Sequence, residues 1–184
     1  MLPSIETLQK LAGQAGQDEV SSPPAQTASA ADVPSCAQPE AKRRSRVLIV
    51  ENHSSVRQAL AIRIGRQHDL EVCGETADMA EALRLVADTQ PDVAVIDLSL
   101  RKGNAIDLIQ RIHDHNKSVG ILVWSLYSEV PYAGCALQAG ALGFITKDEA
   151  ADKIVDAIRR VGQGKIWLSE EMARKMLDRA IGKR

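Results

Sequence analysis

The sequence predicts an α/β fold: a five-stranded parallel sheet covered by helices on both faces. Two observations carry this. From Arg46 onward, short β-branched apolar runs recur five times, and the segments between them place apolar residues at spacings of three or four, the period of a helix with one inward face. The 184 residues, 45% of them apolar, are enough for one such domain with a sizeable core and a tail.

The five strands are Val47-Leu48-Ile49-Val50, Leu70-Glu71-Val72-Cys73, Val93-Ala94-Val95-Ile96, Ile121-Leu122-Val123-Trp124 and Leu142-Gly143-Phe144-Ile145. Between them, Val56, Leu60 and Ile64 follow a cap-like Ser54, then Ala82, Leu85 and Val86 share a face, then Ile106, Ile109 and Ile112. A fourth helix starts near Ser128, tolerates Pro131 in its first turn, is weakened by Gly134 and stops at Gly140. A fifth, with Ile154, Ala157, Ile158 and Val161, ends at Gly162 to Gly164. Lys165-Ile166-Trp167-Leu168 is then a short extended link, and Ser169, Glu170 and Glu171 open a last helix with Met172, Met176 and Leu177 as its apolar positions. The expected organisation is a tail over 1–45, a globular domain over 46–164 and a linker-like helix over 165–184. Residues 17 to 45 read as disordered, because Pro23-Pro24, Pro34 and Pro39 break helices and few large apolar side chains are present. Ahead of them, Ile5, Leu8 and Leu11 after Ser4 mark a short amphipathic helix or a fraying tail with a helical tendency.

With 23 basic and 24 acidic residues the net charge is −1, so no global field draws the chain to nucleic acid or an anionic membrane. Lys42-Arg43-Arg44 reads as a solvated collar before the first strand. Aromatics at 3% exclude a stacking platform for single strands, and Trp124 and Trp167 read as packing residues. Cys36, Cys73 and Cys135 form no metal or redox spacing and read as reduced. No membrane span and no leader of basic and apolar regions is present, which predicts a cytoplasmic protein.

In an open parallel sheet, ligands bind outside the carboxyl ends of the strands. There stand Glu51 and Asn52 after the first strand, Asp97 after the third, Ser125 at the fourth, and Thr146 and Lys147 after the fifth. Singly, each has an ordinary reading as a helix cap or a solvated charge; Lys147 beside Asp148 and Glu149 would be a surface pair worth under about 1 kcal/mol. Together they form the set that phosphoryl transfer to a carboxylate requires. An aspartate is the nucleophile and becomes an acyl phosphate, a hard divalent ion offsets the transferred charge, and a hydroxyl and an ammonium bind the remaining oxygens.

The stretches Val47 to His53, Val95 to Leu100, Leu122 to Ser125 and Ala139 to Lys147 resemble the receiver motifs of bacterial two-component response regulators, over about residues 46 to 180. In detail they are similar to receivers of the nitrate-regulator subfamily, whose usual output is a LuxR-type helix-turn-helix, and Gly164 to Ser169 resembles the start of that family's linker helix. The resemblance implies a flavodoxin-like (βα)5 fold with strand order 2-1-3-4-5. It implies Asp97 as phospho-acceptor, Mg²⁺ held by Glu51, Asn52, Asp97 and the carbonyl of Ser99, phosphoryl contacts from Ser125 and Lys147, and Phe144 as a switch aromatic that turns inward as Ser125 closes on phosphate. It implies a signalling switch rather than an enzyme, a histidine kinase or phosphotransfer protein as donor, and a downstream protein partner.

Two departures stand out. The family's acidic pair on the first strand is here Glu51-Asn52, one carboxylate fewer, and Arg101-Lys102 follow Leu100 where proline is common. A helix-turn-helix would need on the order of 60 residues beyond the linker, so direct DNA binding is not expected. Lys183-Arg184 with Arg174, Lys175 and Arg179 read as a solvated face. Three readings stay open: a receiver that binds a partner through its fourth helix, fifth strand and fifth helix; a pseudoreceiver that takes no phosphate because of Asn52; and a truncated transcription factor. Self-association on phosphorylation is an even alternative, with Leu137, Ile154, Ile158 and the last helix as its apolar positions.

Overall fold

The computed structural model describes residues 43–100, 103–126, 130–148 and 151–182. The elements alternate as expected: β1 (Ser45–Val50), α1 (Ser54–Gly65), β2 (Leu70–Thr76), α2 (Met79–Thr89), β3 (Val93–Ile96), α3 (Ala105–His115), β4 (Gly120–Ser125), α4 (Val130–Gln138), β5 (Gly143–Thr146), α5 (Ala151–Val161) and α6 (Glu170–Ala180). All pairings are parallel, in the order β2-β1-β3-β4-β5, the flavodoxin-like order.

Because side chains alternate across a strand, each apolar run feeds two cores. Leu48, Val50, Ala94, Ile96, Ile121 and Val123 face α2, α3 and α4 and pack with Phe144. Val47, Ile49, Val93, Val95 and Leu122 face α1 and α5, where Leu60, Ile64, Ile154, Ala157, Ile158 and Val161 complete the layer. Ile154 and Ile158, read both as the apolar face of the fifth helix and as even candidates for self-association, are core: they are 3% and 0% exposed. Exposed large apolar side chains include Tyr132 on α4 and Leu177 on α6, with Ile62, Leu126, Ile166 and Ile181 elsewhere, so Leu177 does not join Met172 in the core. Leu137 is half-buried.

The helix ends add two corrections. Ser54 is the first helical residue of α1, not its cap; His53 holds the cap position and its side chain makes no capping bond. Asp78 and Asn104, which the apolar spacing did not single out, do cap, accepting from the Glu81 and Ile106 amides at 3.0 Å each. Ser169 caps α6 as expected, accepting from Met172 N at 3.1 Å. Gly140 past α4 is obligatory on two counts: φ is +109°, and a Cβ there would lie 2.4 Å from the His113 ring.

The segment after α5 extends the sheet rather than leaving it. Phe144 N donates to Trp167 O, and Trp167 N to Leu142 O, each at 3.0 Å, and Gly143 bridges Trp167 in parallel. That link covers the β5 edge and delivers Met172, 7% exposed, to the α4 side of the core. Among the described residues no helix is long and apolar enough to cross a membrane. The tail readings through Lys42, with Cys36, and those on Arg101-Lys102, Ser128 and Lys183-Arg184, lie outside the described residues.

Candidate functional site

The chain passes from β1 to β2 on one side and crosses back to β3 on the other, so a crevice opens at the carboxyl ends of β1 and β3. Each strand is prolonged by one more sheet hydrogen bond just where the polar residues begin. Glu51 N donates to Thr76 O at 2.9 Å, Asp97 N to Val50 O at 2.9 Å, and Lys147 N to Ser125 O at 2.8 Å. These rungs hold the two acids side by side and aim Lys147 at them from the β5 side.

The convergence read from the sequence is present for Glu51, Asp97 and Lys147, while Ser125 is tied to Lys147 through the backbone. Glu51 and Asp97 are 1% exposed and Ser125 is fully buried. The Lys147 ammonium lies 2.5 Å from Glu51 Oε2 and 3.1 Å from Asp97 Oδ1. It also sits 5.3 Å from the centre of the Trp124 ring, which walls it on the β4 side. Lys147 is thus no surface pair with its sequence neighbours: its side chain is 6% exposed and joins both acids. Asn52 and Ser99 are half-buried beside the acids in sequence, and the buried Ser99 Oγ has no hydrogen-bond partner among the described residues. Thr146 is half-buried. Phe144, 2% exposed, already lies inward.

The two carboxylates differ. Glu51 is occupied: besides Lys147 on Oε2, its Oε1 accepts the His53 amide at 2.8 Å and faces His53 Nδ1 at 3.2 Å, while its carbonyl accepts from Arg57 at 2.6 Å. Asp97 is not. Neither of its buried oxygens receives a hydrogen bond of good geometry; the ammonium at 3.1 Å is an ion pair off the hydrogen-bonding direction. Burial, and then the charge of Glu51, push the Asp97 carboxyl above the ordinary aspartate range, against the pull of Lys147 and the Ser99 amide. Two acids face one ammonium, so the pocket retains an unmet negative charge and two acceptor atoms without donors.

That imbalance fits a cation: the carboxylates are hard oxygen donors of the kind Mg²⁺ takes, and an ion would satisfy the Asp97 oxygens. His53 was not singled out from the sequence. One donor atom each from Glu51, His53 and Asp97 lie within 4.8 Å of one another. The available signal was the run Glu51-Asn52-His53 directly after a strand, where a tight turn returns the third residue to the first.

Comparison with known proteins matches residues 47–159 to the response regulator receiver domain. The chain is similar to the transcriptional regulatory protein LiaR of Bacillus subtilis, 33% identical over 134 residues, which cover 73% of this chain and 64% of that protein. It is similar to the DNA-binding transcriptional activator DevR/DosR of Mycobacterium tuberculosis, 31% identical over 137 residues, 74% of this chain and 63% of that one. Among solved structures it is similar to a LuxR-family two-component response regulator from Aurantimonas sp. SI85-9A1, with TM-score 0.70 and 29% identity over 75% of this chain and 99% of that chain. The chain spans less than two thirds of the length of the two transcriptional regulators.

Proposed function

The chain belongs to the response regulator receiver family, and on that premise we infer that Asp97 accepts a phosphoryl group and that the phosphorylated pocket switches a protein-binding surface. The observation that carries this reading is the pair of buried, undonated oxygens of Asp97 beside the Lys147 ammonium. In the transfer, an Asp97 oxygen attacks phosphorus, the bond from phosphorus to the donor's leaving group breaks, and the leaving group departs with its electron pair. The donor is the phosphohistidine of a histidine kinase or phosphotransfer protein, or a small acyl phosphate. Lys147, already 3.1 Å from Asp97, then binds a phosphoryl oxygen, and Ser125 at the end of β4 binds another.

Glu51, Asn52, Asp97 and the Ser99 carbonyl are the groups that would hold Mg²⁺, which, when bound, offsets the charge of the transferred group. Lys147 must then leave Glu51, because the ammonium and the cation compete for the same carboxylates. Phe144 is inward in this structure, so phosphate would stabilise that position rather than create it. The surface that responds is α4, β5 and α5, with a downstream protein as partner, in the cytoplasm. A second reading, a binding module that takes no phosphate, is favoured by Asn52 and by the ammonium that bridges both acids.

One experiment separates the two. Treated with acetyl phosphate and Mg²⁺, the protein should gain about 80 Da by intact mass, the phosphoryl increment on a carboxylate nucleophile, and lose it in hydroxylamine. Fragmentation should put the label on Asp97; an unchanged mass would leave only the second reading. A further expectation concerns the missing acid. Replacing an amide by a carboxylate adds one unit of attraction at contact distance, so Asn52→Asp should tighten Mg²⁺ binding by about tenfold, or about 1.4 kcal/mol, read by titrating Trp124 fluorescence. Equal affinities in parent and variant would remove Asn52 as the determinant.

A further inference from the structure

We propose that His53 is a ligand of the cation taken by this pocket, and that its imidazole shifts the preference from Mg²⁺ toward first-row divalent ions that accept nitrogen, such as Mn²⁺ and Zn²⁺. The proposal rests on the reading of the pocket as a cation site and adds a nitrogen donor to its oxygen donors and an order among ions.

His53 occupies the cap position of α1 with extended backbone angles, yet its ring caps nothing. Among the described residues the ring's hydrogen-bonding contact is Glu51 Oε1, and the His53 amide donates to that same oxygen, which fixes the turn that folds the imidazole back over the acid. The ammonium of Lys147 takes the other oxygen, Oε2, so imidazole and ammonium do not contend for one atom. The donor atoms of Glu51, His53 and Asp97 lie within 4.8 Å of one another, just beyond the span of about 4.2 Å open to two donors that share an ion at about 2.1 Å, so binding draws them together as Lys147 moves aside. Independently of that cluster geometry, Asp97 is 1% exposed and neither of its oxygens receives a hydrogen bond of good geometry, one ammonium being shared between two buried acids, which points to a further positively charged occupant at this place.

The ligand chemistry then decides which occupant. With Asn52 in place of an acid, the site has two anionic oxygens from side chains and one nitrogen within reach. Mg²⁺ is served by an all-oxygen shell and gains little from imidazole, whereas Mn²⁺ and, more strongly, Zn²⁺ accept it. The ring that leans on Glu51 thus adds a strong donor where the sequence has lost a carboxylate, but one that does not treat all ions alike.

The test uses the full chain and the metals alone, and reads binding rather than phosphorylation. Calorimetric titrations with Mg²⁺, Mn²⁺ and Zn²⁺ are run on the parent, His53→Ala, His53→Gln and Asp97→Asn, with pulsed EPR of the Mn²⁺-loaded protein to detect nitrogen coupled to the ion. The parent should show the nitrogen coupling. His53→Ala should lose it together with about 10- to 100-fold in Mn²⁺ and Zn²⁺ affinity, as even outer-shell partners cost that much, while Mg²⁺ affinity holds. His53→Gln keeps a hydrogen bond to Glu51 without the nitrogen ligand and should behave like His53→Ala. Coupling that survives in His53→Ala, an unchanged order of ions, or a His53→Gln that matches the parent each overturns the proposal while the cation site stands. Failure of every ion to bind the parent, or binding unaltered by Asp97→Asn, overturns the cation site and the proposal with it.

Discussion

Asp97→Asn should abolish the whole phosphoryl mass increment and at the same time make the protein more stable at neutral pH. The first effect is chemical: an amide oxygen is not a nucleophile toward phosphorus, and the other pocket acid, Glu51, has both oxygens engaged by Lys147 and His53. The second is electrostatic. Asp97 is buried beside Glu51 with its carboxyl held above the ordinary range, which means that the folded protein binds its proton more tightly than the unfolded chain does. As pH rises from the unfolded value through the raised folded value, the folded state loses stability, and above that window the full penalty remains. Asparagine carries no charge at any pH, so the penalty disappears and Lys147 is left as a balanced pair with Glu51. For a domain of this size a gain on the order of 1 kcal/mol is a rise in Tm of roughly 2–4 °C. The gain should shrink as the pH of the melts is lowered from the raised folded value through the ordinary aspartate range, and be gone below that range. A lower Tm for the variant at pH 7 would mean that Asp97 is a net stabiliser through Lys147, contrary to the direction argued from its burial.

The sequence was most legible where one physical rule acts alone. Strands buried on both faces must be apolar at every position, so Val47–Val50, Val93–Ile96 and Ile121–Trp124 announced themselves and lie in β1, β3 and β4. The polar residues that follow were legible for the same reason: a carboxylate, a serine and a lysine directly after such runs stand at one edge of the sheet. What could not be read is which charges meet. Lys147 and Glu51 are separated by 96 residues in sequence and their pairing follows from the order β2-β1-β3-β4-β5, which came from the family resemblance and not from periodicity. His53 escaped because its position depends on a backbone bond back to Glu51, a feature of the turn and not of residue spacing. Ile154 and Ile158 stayed open between core and self-association because spacing tells which residues share a helix face; whether that face meets the sheet or a partner is settled only when Val47, Ile49 and Leu122 are seen to pack in the same layer.

Lys147→Met should be the most destabilising single change in the pocket, and its cost should depend on pH and on Asp97. The methionine keeps most of the volume, so packing against Trp124 is retained in outline while the ammonium that serves both acids is lost. Removing one partner of a buried pair leaves an uncompensated charge, typically 3–5 kcal/mol; protonation offsets part of this, which puts the expected loss at about 3 kcal/mol at pH 7. The sign of the pH dependence follows from the same linkage as before. Asp97 already holds its proton above the ordinary range, and without Lys147, one of the groups that pull it down, its folded value rises further. The window in which stability falls with rising pH therefore widens upward, and the variant should approach the parent below about pH 4 and diverge from it steadily above. In the double variant Lys147→Met, Asp97→Asn one of the two stranded acids is gone, so the lysine change should cost less than in the parent by at least about 1 kcal/mol, a coupling that denaturant titrations of the four proteins measure directly. Additive costs, or a Lys147→Met loss that stays flat between pH 4 and pH 8, would show that the ammonium acts as a packing group and that the charge balance argued for this pocket is not what holds it.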